Sequence, residues 1–75
     1  MSDKKYTPSI WYSDKNEQLS CKEKIIVLNE NILEFHDLAE EIYDEAILMG
    51  VNRNQIKEVL VNIVNNINSQ LKSDN

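Results

Sequence analysis

The feature that most constrains the fold is a heptad pattern of apolar and small residues across residues 21–49. Its members follow one another at alternating steps of four and three residues, and only a long helix places such positions on one face. Further apolar residues flank the stripe, so it is broader than a two-stranded coiled-coil seam and favours a helical bundle. The members of the stripe are Cys21, Ile25, Leu28, Ile32, Phe35, Ala39, Ile42, Ala46 and Met49.

Capping signals define two helices. Ser20 opens the first with a capping box, and Gly50 ends it because glycine tolerates a left-handed C-cap. Asn52 is a favourable N-cap for the second helix. We therefore predict a long helix over about residues 20–49 and a second over about residues 53–71. The connection between them is short, which makes the two helices antiparallel.

The two predicted helices differ in length. They span about 29 and about 19 residues, or about 44 Å and about 28 Å. The N-terminal part of the long stripe therefore extends past the second helix, and either the N-terminal segment or a second chain must cover it. The predicted fold is all-α: an antiparallel helical hairpin that dimerises into a four-helix bundle, preceded by an irregular segment at residues 1–19 and followed by a disordered tail at residues 72–75.

Length and charge limit the classes of function. A chain of 75 residues forms one small domain, and its single cysteine cannot close an intrachain disulfide. Residues 25–50 carry seven carboxylates and no Lys or Arg, which argues against direct binding to nucleic acid. No run approaches the roughly 20 apolar residues of a membrane span, and the start lacks a signal-peptide core. We expect a cytoplasmic protein that does not contact membranes.

Two side chains, Cys21 and His36, could in principle take part in catalysis or metal binding, but neither has the neighbouring residues that such chemistry needs. Cys21 has no second Cys or His to assist it, so we interpret it as a core residue. His36 and Glu40 have the i, i+4 spacing of a metal pair, but di-metal bundles use Glu three residues before the His, where this chain has Leu33. The sequence offers no nucleophile–base pair and no phosphate-binding glycine loop. We therefore predict no enzyme, no cofactor and no metal site.

An apolar and aromatic cluster at residues 10–12 precedes the long helix. One interpretation folds these side chains back onto the helices. The other makes them a docking motif that binds another protein as an extended segment. Together with the uncovered stripe, they give the candidate surface for a partner or a second copy: Ile10, Trp11, Tyr12, Ile25, Leu28, Ile32 and Phe35.

Several short stretches carry a family resemblance: a Trp-Tyr pair near the start, at residues 11–12, and residues 20–25 (SCKEKI), 27–31 (VLNEN) and 46–50 (AILMG). In these stretches the chain resembles small uncharacterised proteins of alphaproteobacteria, and the resemblance would cover most of the chain. That resemblance implies no activity.

A second similarity rests on residues 45–46 (EA), 50–52 (GVN) and 55–60 (QIKEVL) of the predicted hairpin. In these residues the hairpin is similar to the one by which the Sin anti-repressor pairs with its repressor. It implies a class of protein partner and no functional site.

We predict a non-enzymatic homodimer that acts as an interaction or regulatory module through protein–protein contacts. The alternative is a small acidic inhibitor of a nucleic-acid-binding protein, either an anti-repressor or a DNA mimic. It depends on whether the seven central carboxylates imitate a DNA backbone. Their interleaving with a regular apolar stripe favours the simpler interpretation of a solvated helix face.

Overall fold

The computed structural model describes residues 6–71, which contain two helices after a looped segment. Helix α1 is Lys22–Leu48, with 27 residues, and helix α2 is Arg53–Asn65, with 13 residues. Within residues 6–71 the one sheet-like feature is an isolated antiparallel bridge between Tyr12 and Gln18. The predicted all-α helical hairpin is confirmed. The tail predicted at residues 72–75 lies outside the described residues.

The connection between the helices has the hydrogen bonds of a Schellman motif. The Val51 N–H donates to the Ala46 carbonyl at 2.9 Å, and the Gly50 N–H donates to the Ile47 carbonyl at 3.0 Å. Gly50 has a backbone φ of +93°, which residues with a Cβ atom rarely adopt. The predicted glycine C-cap is confirmed, and α1 ends within two residues of the predicted position.

The start of α2 also agrees with the N-cap predicted at Asn52. The Asn52 side chain accepts a hydrogen bond from the Gln55 N–H at 3.0 Å. The backbone of Asn52 is extended, as an N-cap requires.

The end of α2 differs from the prediction, because the helix stops at Asn65 rather than near Leu71. The Asn66 side chain and the Asn66 N–H both donate to the Asn62 carbonyl, at 2.8 Å and 3.1 Å. The next N–H, that of Ile67, donates to the Val64 carbonyl three residues back at 3.3 Å, so the helix ends in a tightened turn. Beyond it, the Ser69 hydroxyl accepts from the Leu71 N–H at 3.0 Å. Helix α2 is therefore about 20 Å long and α1 about 40 Å.

The chain divides into two compact units, one ending at Leu38 and the other beginning at Ala39. The first contains the N-terminal segment and the first part of α1. The second contains the rest of α1, the connection and α2. Neither helix is long and apolar enough to cross a bilayer.

Burial is sparse throughout the described residues. Ala46, at 8% exposure, is the one buried residue among them. In the predicted stripe, Ile25, Leu28 and Ile32 are half-buried, whereas Met49 is 77% exposed.

Cys21 departs from its predicted place in the core. It is a free cysteine, it is exposed, and it lies one residue before α1 begins. It precedes the regular part of the helix, so the heptad spacing that predicted its burial does not apply to it.

Candidate protein-interaction surface

The segment before α1 closes into a loop, which we call the N-terminal loop (residues 11–19). The Leu19 N–H donates to the Trp11 carbonyl at 2.9 Å, and the Ser13 N–H donates to the Glu17 carbonyl at 2.8 Å. The Ser13 hydroxyl also accepts from the N–H groups of Lys15 and Glu17, at 3.1 Å and 3.2 Å. These bonds satisfy the backbone locally, so the segment is closed rather than extended.

The tip of the N-terminal loop contains Asn16, whose φ of +67° lies in the left-handed region. Asparagine tolerates this region better than most residues do. The Asn16 N–H donates to the Ser13 carbonyl at 2.9 Å and completes the turn.

Trp11 anchors the loop to α1. Its indole N–H donates to the Asn29 side-chain oxygen at 2.8 Å, and the ring is half-buried. The two partners are 18 positions apart in the chain, so this bond fixes a tertiary contact rather than a local turn. Trp11 therefore folds back onto α1, whereas Ile10 and Tyr12 stay 40% and 59% exposed.

A second aromatic contact holds the start of the same segment. The rings of Tyr6 and His36 are stacked, with centroids 4.3 Å apart and an angle of 25° between their planes. Asn29 and His36 are separated by about 10 Å along the helix, so the segment follows α1 for about two turns. Pro8 and its two neighbours line a surface recess of about 380 Å³ with Asn29.

The side chains that receive these contacts share a heptad position next to the apolar stripe. Asn29, His36 and Tyr43 are each seven residues apart on α1, and each is half-buried. Tyr43 receives the Lys57 ammonium at 5.7 Å from its ring centroid, a cation–π distance. Apolar periodicity does not reveal this column, because two of its members are polar. The signal that the sequence does carry is the heptad spacing of these hydrogen-bonding and aromatic side chains.

In the unit that ends at Leu38, the contacts with Trp11 and Tyr6 therefore fall on Asn29 and His36, beside the predicted stripe rather than on it. Phe35 and Ile42 belong to the stripe, yet they are 55% and 40% exposed. Leu28 lines a shallow recess of about 430 Å³ on the first turns of α1, together with Val27 and three polar residues. Of the candidate contact residues, Ile10, Tyr12 and Phe35 are therefore the most available to another chain.

The carboxylates of α1 lie at the surface. All seven acidic residues between positions 25 and 50 are exposed. Asp37 is close to His36, with 3.3 Å between a carboxylate oxygen and Nδ1. The imidazole is thereby engaged on its face by Tyr6 and at its edge by Asp37. The exposed carboxylates give α1 an acidic surface.

Comparison of this chain with models of protein families, with curated proteins and with solved structures finds no match.

Proposed function

We propose that this protein is a non-enzymatic helical module that works through protein–protein contacts and that it forms a homodimer. The carrying observation is the lack of a core, since Ala46 is the one buried residue among residues 6–71. A chain of this size stabilises itself poorly without a disulfide, a metal or a partner. A partner surface supplies the missing burial.

The exposed apolar side chains indicate how much a partner could stabilise the fold by burying them. Leu48 is 87% exposed, Phe35 55% and Ile63 57%. Burying one such side chain fully is worth about 1.5–3 kcal/mol. Several of them together exceed the usual marginal stability of a small domain, so association and folding are coupled here.

The N-terminal loop, together with Ile10 just before it, supplies a second contact surface, which binds a different protein. Its backbone is already closed by local hydrogen bonds, so binding costs little further conformational entropy. Tyr12 and Ile10 are exposed beside the anchored Trp11. Tyrosine is enriched at interfaces because it combines apolar area with a hydroxyl.

Light scattering on a size-exclusion column tests the proposal. We expect a mass near twice the 8.8 kDa of the chain over a series of concentrations. Circular dichroism on the same samples should show helix. A helical monomer at every concentration would overturn the homodimer.

A second candidate function is that of an acidic inhibitor of a nucleic-acid-binding protein. The observation that favours it is the exposure of all seven central carboxylates. Such binding would weaken steeply with salt, since the Debye length falls to about 3 Å at 1 M. Elution of captured basic proteins over a salt gradient, with competition by duplex DNA, tests this function. Capture that is insensitive to both salt and DNA would contradict it.

A further inference from the structure

The unit that begins at Ala39 has an apolar side that its own two helices leave open. We call it the front face and define it by Ile42, Met49, Val59 and Ile63. Their exposed fractions are 40%, 77%, 46% and 57%.

The α1 part of the front face follows from helical spacing. Ile42 and Met49 are seven residues apart, so they point within about 20° of each other. The Met49 N–H donates to the Glu45 carbonyl at 3.0 Å, which continues the helical turn to this residue. Ala39 lies beside them and is half-buried, and its small side chain permits another helix to approach closely, whereas Ala46 at the same spacing is already buried within the unit.

The α2 part lies on the same side of the hairpin. Lys57 reaches the Tyr43 ring and marks the opposite side. Val59 is two residues beyond Lys57, which turns it about 160° away from that lysine. Ile63 follows four residues later and lies about 40° from Val59. Half-buried Ile56 lies between Lys57 and Val59 around the helix and faces α1.

The charges around the front face distinguish its possible occupants. No Lys, Arg, Asp or Glu is among its four residues, so it offers nothing specific to a charged partner. The α1 edge carries the exposed Glu45, whereas the α2 edge carries the exposed amides of Gln55 and Asn62. Amide groups donate hydrogen bonds to carboxylates. The two edges of the face are therefore complementary to each other.

From this complementarity we propose that a second copy of this chain covers the front face, with α1 of one copy over α2 of the other. A two-fold axis parallel to the helices then brings the acidic edge of each copy to the amide edge of its partner. Two hairpins packed in this way complete a four-helix bundle. The inference rests on the proposed homodimer and adds the face through which it forms.

Substitution of two valines in α2 tests the inference. We expect Val59→Glu to raise the dimer dissociation constant at least tenfold, because it places a carboxylate in an apolar interface. Val61→Glu is the matched control, since Val61 is 55% exposed and points about 160° away from Val59. Sedimentation equilibrium of the full chain measures both constants. Equal effects of the two substitutions would overturn the assignment of the face and leave the homodimer intact.

A second pair of variants covers the case in which Val59→Glu fails to fold. Val59→Ala and Val61→Ala raise helix propensity equally, so a difference between them reports the contact rather than the helix. We expect Val59→Ala to weaken the dimer severalfold and Val61→Ala to leave it unchanged. A parent chain that is monomeric at all concentrations would overturn both this inference and the proposed homodimer.

Discussion

At the scale of single residues, one hydrogen bond connects the N-terminal loop to α1. The indole of Trp11 donates to Asn29, and both residues are half-buried. A partly buried donor that loses its acceptor costs more than the bond itself contributes. The loop therefore depends on a polar residue, Asn29, which apolar periodicity does not indicate.

Replacement of that acceptor should release the loop. We expect Asn29→Ala to lower the free energy of unfolding by about 1–2 kcal/mol, because the indole N–H is left without its acceptor. Trp11 is the single tryptophan of the chain, so its fluorescence reports the loop directly. Quenching by acrylamide should increase in the variant. Asn31→Ala is the control, as Asn31 is exposed on the same helix, and quenching there should match the parent.

Gly50 is the second residue with an individual role. Its φ of +93° disfavours any side chain, although a Cβ would meet nothing within 4 Å. We expect Gly50→Ala to cost about 1–2 kcal/mol of stability in chemical denaturation, from backbone strain alone. Gly50→Asn should cost less, because asparagine adopts left-handed conformations more readily. Equal losses for the two variants would show that strain is not the cause.

At the scale of the elements, the length of α2 is set by asparagine rather than by hydrophobic periodicity. Ile67 and Leu71 continue the apolar spacing of α2, yet they lie beyond its last residue. Asn62, Asn65 and Asn66 cluster at this end, and asparagine has low intrinsic helix propensity because its side chain bonds to nearby backbone groups, as Asn66 does to the Asn62 carbonyl. Apolar spacing predicts a longer helix because it takes no account of this low propensity.

Replacement of Asn66 by a residue of higher helix propensity should lengthen the helix. We expect Asn66→Ala to increase the helical signal in circular dichroism and to stabilise the chain by about 0.5 kcal/mol. Asn54→Ala is the control: it makes the same substitution in the first turn of α2, where the residue is already helical and the helix cannot lengthen. An equal rise of the helical signal for Asn54→Ala would show that Asn66 is not what ends α2.

At the scale of the whole molecule, many large apolar side chains among residues 6–71 stay exposed to solvent. Leu48 and Val61 are 87% and 55% exposed, and Ala46 alone is buried among residues 6–71. A dimer whose folding is coupled to association is stabilised by mass action. Its thermal midpoint therefore depends on protein concentration.

We expect the midpoint temperature of thermal unfolding to rise with the logarithm of protein concentration over a hundredfold range, because unfolding of the proposed dimer separates two chains. Differential scanning calorimetry or circular dichroism measures it. The Val59→Glu variant should lose this dependence, and Val61→Glu should retain it. A midpoint independent of concentration in the parent would show that the described fold is stable by itself.

Local physical chemistry in the sequence determined where α1 ends, where α2 begins and how the two are connected. The heptad stripe predicts one long helix, Gly50 ends it, and Asn52 begins the next, because periodicity and capping act within a few residues. Tertiary structure decided which side of α1 is covered. Asn29 and His36 receive Trp11 and Tyr6 from more than a dozen residues away, and such pairing leaves no local pattern. The apolar stripe locates α1, but the aromatic contacts determine which part of that stripe remains exposed.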